Sequence, residues 1–277
     1  MAILFALLAA AAYGVSDFVG GLASRRVPAM SVLLISYPVG GVIMAALLPL
    51  YGGPVSARTL AWSLAGGVAG LVGVSMLYTA LALAPMNVIS PVTAVMSAVV
   101  PVCGGVVKGE RPQLLAWLGI LLGLVAVVLI SRQPADHPHG PIGWRPLAIA
   151  VLAGVGFGSY FICLAQSDHG SGTWPVVISR ACSAVLVLPL VLTGGRLRRM
   201  GRSVLALAGL AGALDATANV AFLLSSRHGL LSLAGVITAL YPAGTVLLAA
   251  LILKERTGNL QRAGLGIAAV AVVLLTQ

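Results

Sequence analysis

Long apolar runs of about 18–22 residues recur along this chain, and they constrain its fold more than any other feature. An α-helix of that length spans the ~30 Å hydrocarbon core of a membrane, whereas a strand of a membrane barrel needs only about 10 residues of alternating polarity. Charged residues make up 8% of the sequence, against about 25% in a soluble domain, so water cannot surround most of its surface. The sequence therefore predicts an all-α membrane protein.

Charged residues and Gly/Pro breaks divide the chain into ten predicted spans. The longest loop is polar and rich in proline, and it separates two halves of five spans each. The first half covers residues 1–132, the linker 133–146 and the second half 147–277. The spans run approximately over 2–22, 30–50, 60–82, 87–107, 114–131, 147–166, 173–193, 203–224, 230–252 and 260–276.

The two halves are related to each other in sequence. When the chain is shifted by 145 positions, Thr93–Arg111 overlies Thr238–Arg256, and a Glu-Arg pair falls at the same point of both halves. Because charged residues are scarce here, this pair is the strongest part of the match. An odd number of spans per repeat places the two copies in opposite orientations across the membrane. Inverted repeats are typical of secondary transporters, which hold their substrate near the midplane between the halves.

Two five-helix repeats, each with a Gly-Glu-Arg or Lys-Glu-Arg turn before its last helix, resemble the EamA-type members of the drug/metabolite transporter superfamily. The Tyr241-Pro242 step in the fourth helix of the second repeat also matches this family, and the resemblance covers nearly the whole chain. The resemblance implies a central cavity lined by the first four helices of each repeat, with the fifth helices outside. The first repeat departs from the pattern, because Ser97 stands where the second repeat has Pro242.

Three charged side chains fall inside the predicted spans: Asp17, Arg180 and Asp215. Each costs about 2.5–3.5 kcal/mol at a helix centre, so each is expected to face protein or water and to mark a functional site. We call the membrane side that holds the N-terminus side A. From the rise per residue of a helix, Arg180 and Asp215 lie within about 5 Å of the midplane toward side A. They belong to consecutive spans, so the sequence predicts that an ion pair can form between them.

Two interpretations of the Arg180–Asp215 pair remain open. The pair is either a structural lock between two helices or a substrate clamp, with a guanidinium for a carboxylate group and a carboxylate for an amine. Asn219 follows Asp215 by one helical turn on the same helix face. It either extends the substrate site or forms a hydrogen bond to a neighbouring helix.

Asp17 lies about 7 Å from the midplane toward the opposite side, called side B, where no cationic partner stands at its depth. A carboxylate without a partner in a poorly hydrated cavity can bind a proton on one side of the membrane and release it on the other. We therefore predict that Asp17 couples transport to protons or contacts the substrate. The alternative is a solvated carboxylate at the cavity mouth that helps to seal a helix end.

Tyrosines, prolines and glycines within the spans are candidates for the cavity wall, for hinges and for close packing. Pro91 and Pro242 are the hinge candidates, because a proline inside a helix frees a backbone carbonyl and is tolerated beside cavities or partner helices. Gly14, Gly20 and Gly21 predict close approach of neighbouring helices. The tyrosines that could line the cavity, or instead serve packing alone, are Tyr13, Tyr78, Tyr160 and Tyr241.

No motif for catalysis, metal binding or nucleotide binding appears in the sequence, so we expect no enzyme activity, no cofactor and no metal. Glu110 and Glu255 occupy matching positions of the two repeats on opposite membrane sides, and their predicted role is a local salt bridge with neighbouring basic residues. The net charge of +10 is attributed to basic loops that face anionic headgroups, since no soluble domain is present to bind nucleic acid.

The sequence as a whole predicts a secondary transporter of the cell membrane that moves a small organic metabolite or drug by alternating access, with efflux as the favoured direction. Its partners would be the substrate, the lipid bilayer and protons, and its oligomeric state stays open. An uncoupled facilitator and a membrane scaffold or sensor subunit are the alternatives. Two carboxylates and one guanidinium favour neutral, zwitterionic or cationic cargo.

The orientation in the membrane also stays open. Loop charges favour both termini outside, because 11 basic residues fall on side B against 4 on side A. The family resemblance instead favours both termini in the cytoplasm.

Overall fold

The computed structural model describes residues 1–84, 86–131, 143–193, 200–254 and 257–276, and within these ranges the regular elements are helices. Eight helical segments are long and apolar enough to cross a membrane, and two further apolar helices are shorter. The predicted all-α membrane protein is confirmed. The helices are α1 (Ala2–Ser24), α2 (Ala29–Ala46), α3 (Leu48–Tyr51), α4 (Ala57–Leu83), α5 (Met86–Val107), α6 (Leu114–Ser131), α7 (Trp144–Ala165), α8 (Trp174–Thr193), α9 (Arg202–His228), α10 (Leu231–Thr238), α11 (Tyr241–Ile252) and α12 (Asn259–Leu275).

The observed helices follow most of the predicted span limits to within a few residues, because apolar length and Gly/Pro breaks control both. The start of α7 is an exception, since residues 144–146 of the predicted linker are helical. Pro146 does not prevent this, because the N–H groups of the first turn have no intrahelical partner to lose. The remainder of the predicted linker up to residue 142 lies outside the described residues.

The predicted ninth span, 230–252, is not one continuous helix. It divides after Thr238 into α10 and α11, and Pro242 occupies the first turn of α11. A proline has no N–H group to donate to the carbonyl four residues earlier, so the helical ladder cannot run through this point. In the first half, α5 continues through Ser97 without a break despite Pro91. The interruption therefore lies where the second half has proline and the first half has serine.

Helices of the two halves pack against one another along most of their length. The most extensive contacts join α1 with α9, α4 with α7, and α5 with α7, while α6 and α12 pack against each other. α1 and α11 approach most closely at Gly14, where a Cβ atom would lie 2.7 Å from the carbonyl oxygen of Tyr241. The predicted packing role is confirmed for Gly14, whereas at Gly21 no atom of the described residues lies within 4 Å of the position of a Cβ.

Loop contacts between the halves close the end of the bundle that holds the start of α1. Arg227, at the end of α9, donates hydrogen bonds to the carbonyl oxygens of Asp168 and Gly172, at 3.0 and 3.1 Å. From the first half, the hydroxyls of Ser56 and Thr59 donate to the carboxylate of the same Asp168. The loop after α7 is thus held from both halves at side A.

Glu110 joins the halves at the same end, in a role that the sequence did not predict. Its carboxylate oxygens accept hydrogen bonds from the backbone N–H groups of Leu231 and Ser232, at 2.6 and 3.0 Å, which open α10. The first N–H groups of a helix lack intrahelical partners, and a carboxylate there also meets the positive end of the helix dipole. The predicted local salt bridge is therefore wrong for Glu110, whereas Glu255 lies outside the described residues.

Replacing Arg227 with alanine is expected to lower the free energy of unfolding by about 2 kcal/mol, because buried acceptors lose a charged donor. Equilibrium unfolding of the purified protein in detergent, followed by tryptophan fluorescence, measures this change. Arg262→Ala is the matched control, since Arg262 is exposed in the first turns of α12 and donates only to the nearby Thr257 among the described residues. Equal losses from the two variants would show that the Arg227 contacts do not stabilise this end of the bundle.

Candidate functional site

Three helices of the second half bring four polar side chains together. Arg180 of α8 and Asp215 of α9 form the ion pair that their depths predict, with Nη2 lying 2.7 Å from Oδ2. The same Nη2 atom donates to the hydroxyl of Tyr160 on α7 at 3.4 Å, and that hydroxyl donates to Oδ1 of Asn219 at 2.5 Å. The Nδ2 atom of Asn219 closes the circle by donating to the Asp215 carboxylate at 3.2 Å. We call these four side chains the polar ring.

Two tyrosines of the first half extend the polar ring. The hydroxyl of Tyr13 on α1 donates to Oδ1 of Asn219 at 2.6 Å. Tyr37 on α2 lies against the guanidinium of Arg180, whose central carbon is 4.9 Å from the centroid of its ring and 5.4 Å from that of Tyr160. Sequence analysis missed Tyr37, although a tyrosine beside a proline in an apolar span is a signal that could have indicated it.

The guanidinium of Arg180 is neutralised by Asp215, and it contacts Asp215 and Tyr160 through Nη2. Its side chain is 8% exposed, against 25% for that of Asp215. Burying a charge of this kind costs several kcal/mol unless a counter-charge and hydrogen bonds compensate, and two aromatic rings add favourable cation–π contacts. Its Nε atom is buried without a hydrogen-bond partner among the described residues. A substrate carboxylate at Arg180 would therefore share the guanidinium with the Asp215 carboxylate, which already neutralises its charge.

Asp17 has a different environment from the charges of the polar ring. It follows Tyr13 by one turn of α1, so the two side chains share a helix face. The exposed Leu4 and Leu8 of α1 lie about 140° and about 180° from Asp17 around the helix. The Asp17 side chain is exposed, and it forms no ion pair or hydrogen bond with any other described residue. It therefore points into open space on the side of α1 that turns away from the exposed leucines.

The electrostatic neighbours of Asp17 lie on three other helices. They are Tyr78 on α4, Asp215 on α9 and Tyr241 on α11. The rings of Tyr241 and Tyr13 are 6.2 Å apart. Both Tyr78 and Tyr241 are partly exposed, and their hydroxyls form no hydrogen bond within the described part of the chain. The space beside Asp17 is therefore bounded by helices of both halves and lined by tyrosines.

The sequence-predicted candidates divide into two groups of side chains, joined by Tyr13, and a pair of prolines. Arg180, Asp215 and Asn219 meet in the polar ring with Tyr160, whereas Tyr78 and Tyr241 lie near Asp17. Tyr13 connects the two groups through its hydrogen bond and its position on α1. The proline candidates differ, because Pro242 adjoins Tyr241 at the break before α11 while Pro91 lies inside the unbroken α5.

Other features of the described residues do not compete with this site. A pocket of about 230 Å³ lies beside α1, α11 and α12, but its lining is apolar, with Leu7, Leu240 and Val272 among its residues. Such a pocket has no group that could orient a polar molecule. Within the described ranges, no group of three His, Cys, Asp or Glu residues is placed to hold a metal ion.

Asp215→Asn is expected to cost about 3 kcal/mol of unfolding free energy, because it leaves the buried guanidinium of Arg180 without a counter-charge. Arg180→Gln should cost a similar amount, and the double variant should cost clearly less than the two single variants together. Chemical unfolding in detergent, arranged as a double-mutant cycle, measures the coupling. Additive losses would show that the ion pair contributes nothing beyond its separate side chains.

Three comparisons with known proteins place this geometry in context. The sequence model of the EamA-like transporter family matches residues 1–132 and residues 144–277. No curated protein gave a significant match. One solved structure, described only as "Crystal structure of protein", superposes with a TM-score of 0.81 at 18% identity, over 99% of this chain and 96% of its own. At that identity the similarity shows the fold alone.

Proposed function

Because this chain belongs to the EamA-like transporter family, a drug/metabolite transporter family, we propose that it is a secondary transporter of the cell membrane. It moves a small organic metabolite or drug outward by alternating access, through the space between its two halves. Eight long apolar segments together with two shorter apolar helices supply the ten spans of two inverted repeats. The two separate family matches, one in each half, support the repeat.

The observation that carries this proposal is the contrast between Asp17 and the polar ring. The ring charges neutralise each other and connect helices, so they hold the site in shape. Asp17 is charged, exposed and unpaired among the described residues, although it lies within a helix that spans the membrane. An ionisable residue that is kept in a membrane span without a structural partner indicates a pathway for substrate or protons.

Proton coupling follows if protons and cargo compete for Asp17. The groups that face it are the Asp215 carboxylate from α9 and the hydroxyls of Tyr13, Tyr78 and Tyr241, with Arg180 held behind Asp215. Ionised Asp17 adds a negative charge to the cavity, and protonation removes that charge. Cargo that is held by this charge therefore leaves as the proton binds, so binding weakens as the pH falls.

Asp17→Asn is expected to abolish substrate-driven proton flux, because asparagine cannot cycle a proton. The measurement uses purified protein in liposomes with an internal pH dye, challenged with pools of amino acids, nucleosides, sugars and cationic drugs. Asp136→Asn is the matched control, since it is the same chemical change in the predicted linker between the two halves. That variant should keep the flux of the original protein.

The outcomes separate the alternative functions. A labelled substrate that crosses without any pH change, equally in the original protein and in Asp17→Asn, would identify an uncoupled facilitator. No flux from any pool would contradict transport and favour a scaffold or sensor subunit whose buried charges are structural.

Pro242→Ala is expected to slow transport while substrate affinity is retained, because alanine can donate its N–H group to the carbonyl of Thr238 and join α10 to α11. Flux and equilibrium binding are measured on the same preparation. Pro91→Ala, in the unbroken α5, distinguishes the two hinge candidates and should have the smaller effect. A larger effect from Pro91→Ala would place the hinge in the first half.

A further inference from the structure

The described helices enclose an unbalanced negative charge. Among the described helices, three charged side chains lie more than four residues from a helix end: Asp17, Arg180 and Asp215. Arg180 and Asp215 neutralise each other at 2.7 Å, so the charge that remains is that of Asp17. In a region of low dielectric constant, one unbalanced charge has a strong influence on which ions enter.

The single cation of the site is not available to an anionic ligand. The Arg180 side chain is 8% exposed, it is paired with Asp215, and it lies against the rings of Tyr37 and Tyr160. A carboxylate or phosphate that entered the cavity would lose its hydration and meet two carboxylates against one guanidinium, whose charge Asp215 already balances. The cost of desolvating it would remain uncompensated.

The open part of the site suits a cation with an apolar body. Asp17 supplies the charge, and its electrostatic neighbours include Tyr13, Tyr78 and Tyr241 on three helices, with the rings of Tyr13 and Tyr241 6.2 Å apart. Tyrosine faces attract cations, and their rings also bury the apolar part of an organic molecule. The guanidinium of Arg180 already uses Tyr37 and Tyr160 in this way. Tyr13 is held by Asn219 and Phe161, which leaves the partly exposed Tyr78 and Tyr241 for a ligand.

We propose that the cavity selects organic monocations with an aromatic or other apolar body, bound by Asp17 and its surrounding tyrosines, over zwitterions and anions. This inference rests on the proposed function and narrows its cargo. A zwitterionic amino acid satisfies Asp17 with its amine, but its carboxylate then lies beside Asp215, whose only cationic partner is engaged. A monocation leaves no charge without a partner.

Binding of three matched probes tests the proposal. The probes are benzyltrimethylammonium, phenylalanine and phenylacetate, which share a phenyl ring and differ in charge, as cation, zwitterion and anion. Calorimetry on the purified full-length protein in detergent measures affinity, and counterflow in liposomes measures crossing. The expected result is that the cation binds at least tenfold more tightly than either other probe, a difference of about 1.4 kcal/mol.

Substitutions at Asp17 test whether this one charge causes the selectivity. Because the Asp17 side chain is exposed, the replacements do not require neighbouring side chains to repack. Asp17→Asn should lower affinity for the cation at least tenfold, and Asp17→Glu should retain most of it. Asp17→Lys should reverse the order and favour phenylacetate, because the cavity charge changes sign. Asp136→Asn, in the predicted linker, again serves as the matched control, and unchanged unfolding midpoints show that each variant is folded.

Each outcome decides between the inference and the function on which it rests. If phenylalanine or phenylacetate binds the original protein as tightly as the cation or more tightly, the proposed cationic cargo is wrong. It is also wrong if Asp17→Asn leaves the affinity for the cation unchanged. Counterflow of anionic or zwitterionic compounds without the cation overturns this inference but leaves transport standing. Binding of the cation through Asp17 without any counterflow supports the class and overturns transport.

Discussion

A guanidinium in the middle of a membrane-spanning bundle needs a counter-charge, and the arrangement of the central helices depends on how Arg180 obtains one. Asp215 supplies the charge at 2.7 Å, and Tyr160 and Tyr37 cover the rest of the guanidinium. Since Tyr160 and Tyr13 also donate to Asn219, the requirement of one buried cation draws α1, α2, α7, α8 and α9 together. Both halves of the chain contribute to this contact, so it connects them near the level of the candidate site.

Because the charges of the polar ring neutralise each other, the charge of Asp17 is the one that remains in the proposed site. Had Arg180 been free, the cavity would hold both signs of charge, and cargo of either sign would find a partner. The engaged pair instead leaves one carboxylate exposed among tyrosines. In the proposed function, the ion pair would fix the shape of the site and Asp17 would supply its charge.

Local chemistry explains which features could be predicted from the sequence. Span lengths follow from hydrophobicity, and the isolated charges Asp17, Arg180 and Asp215 stand out because such residues are rare in apolar runs. The role of Glu110 could not be found in this way, because its partners in α10 lie more than 100 residues later in the chain. Tyr37 was missed for a similar reason. Aromatic residues are common in apolar spans, and its contact with Arg180 joins residues that are far apart in the sequence.

The sequence by itself determined that the chain is a helical membrane protein, the approximate limits of most of its spans, and which few charges lie within them. Those properties depend on the composition and spacing of neighbouring residues, which act over one or two helical turns. Only the tertiary structure decided that Arg180 is sequestered while Asp17 is open, because exposure and pairing depend on which distant helices surround a side chain. Both aspartates carry the same charge, and packing alone gives them different roles.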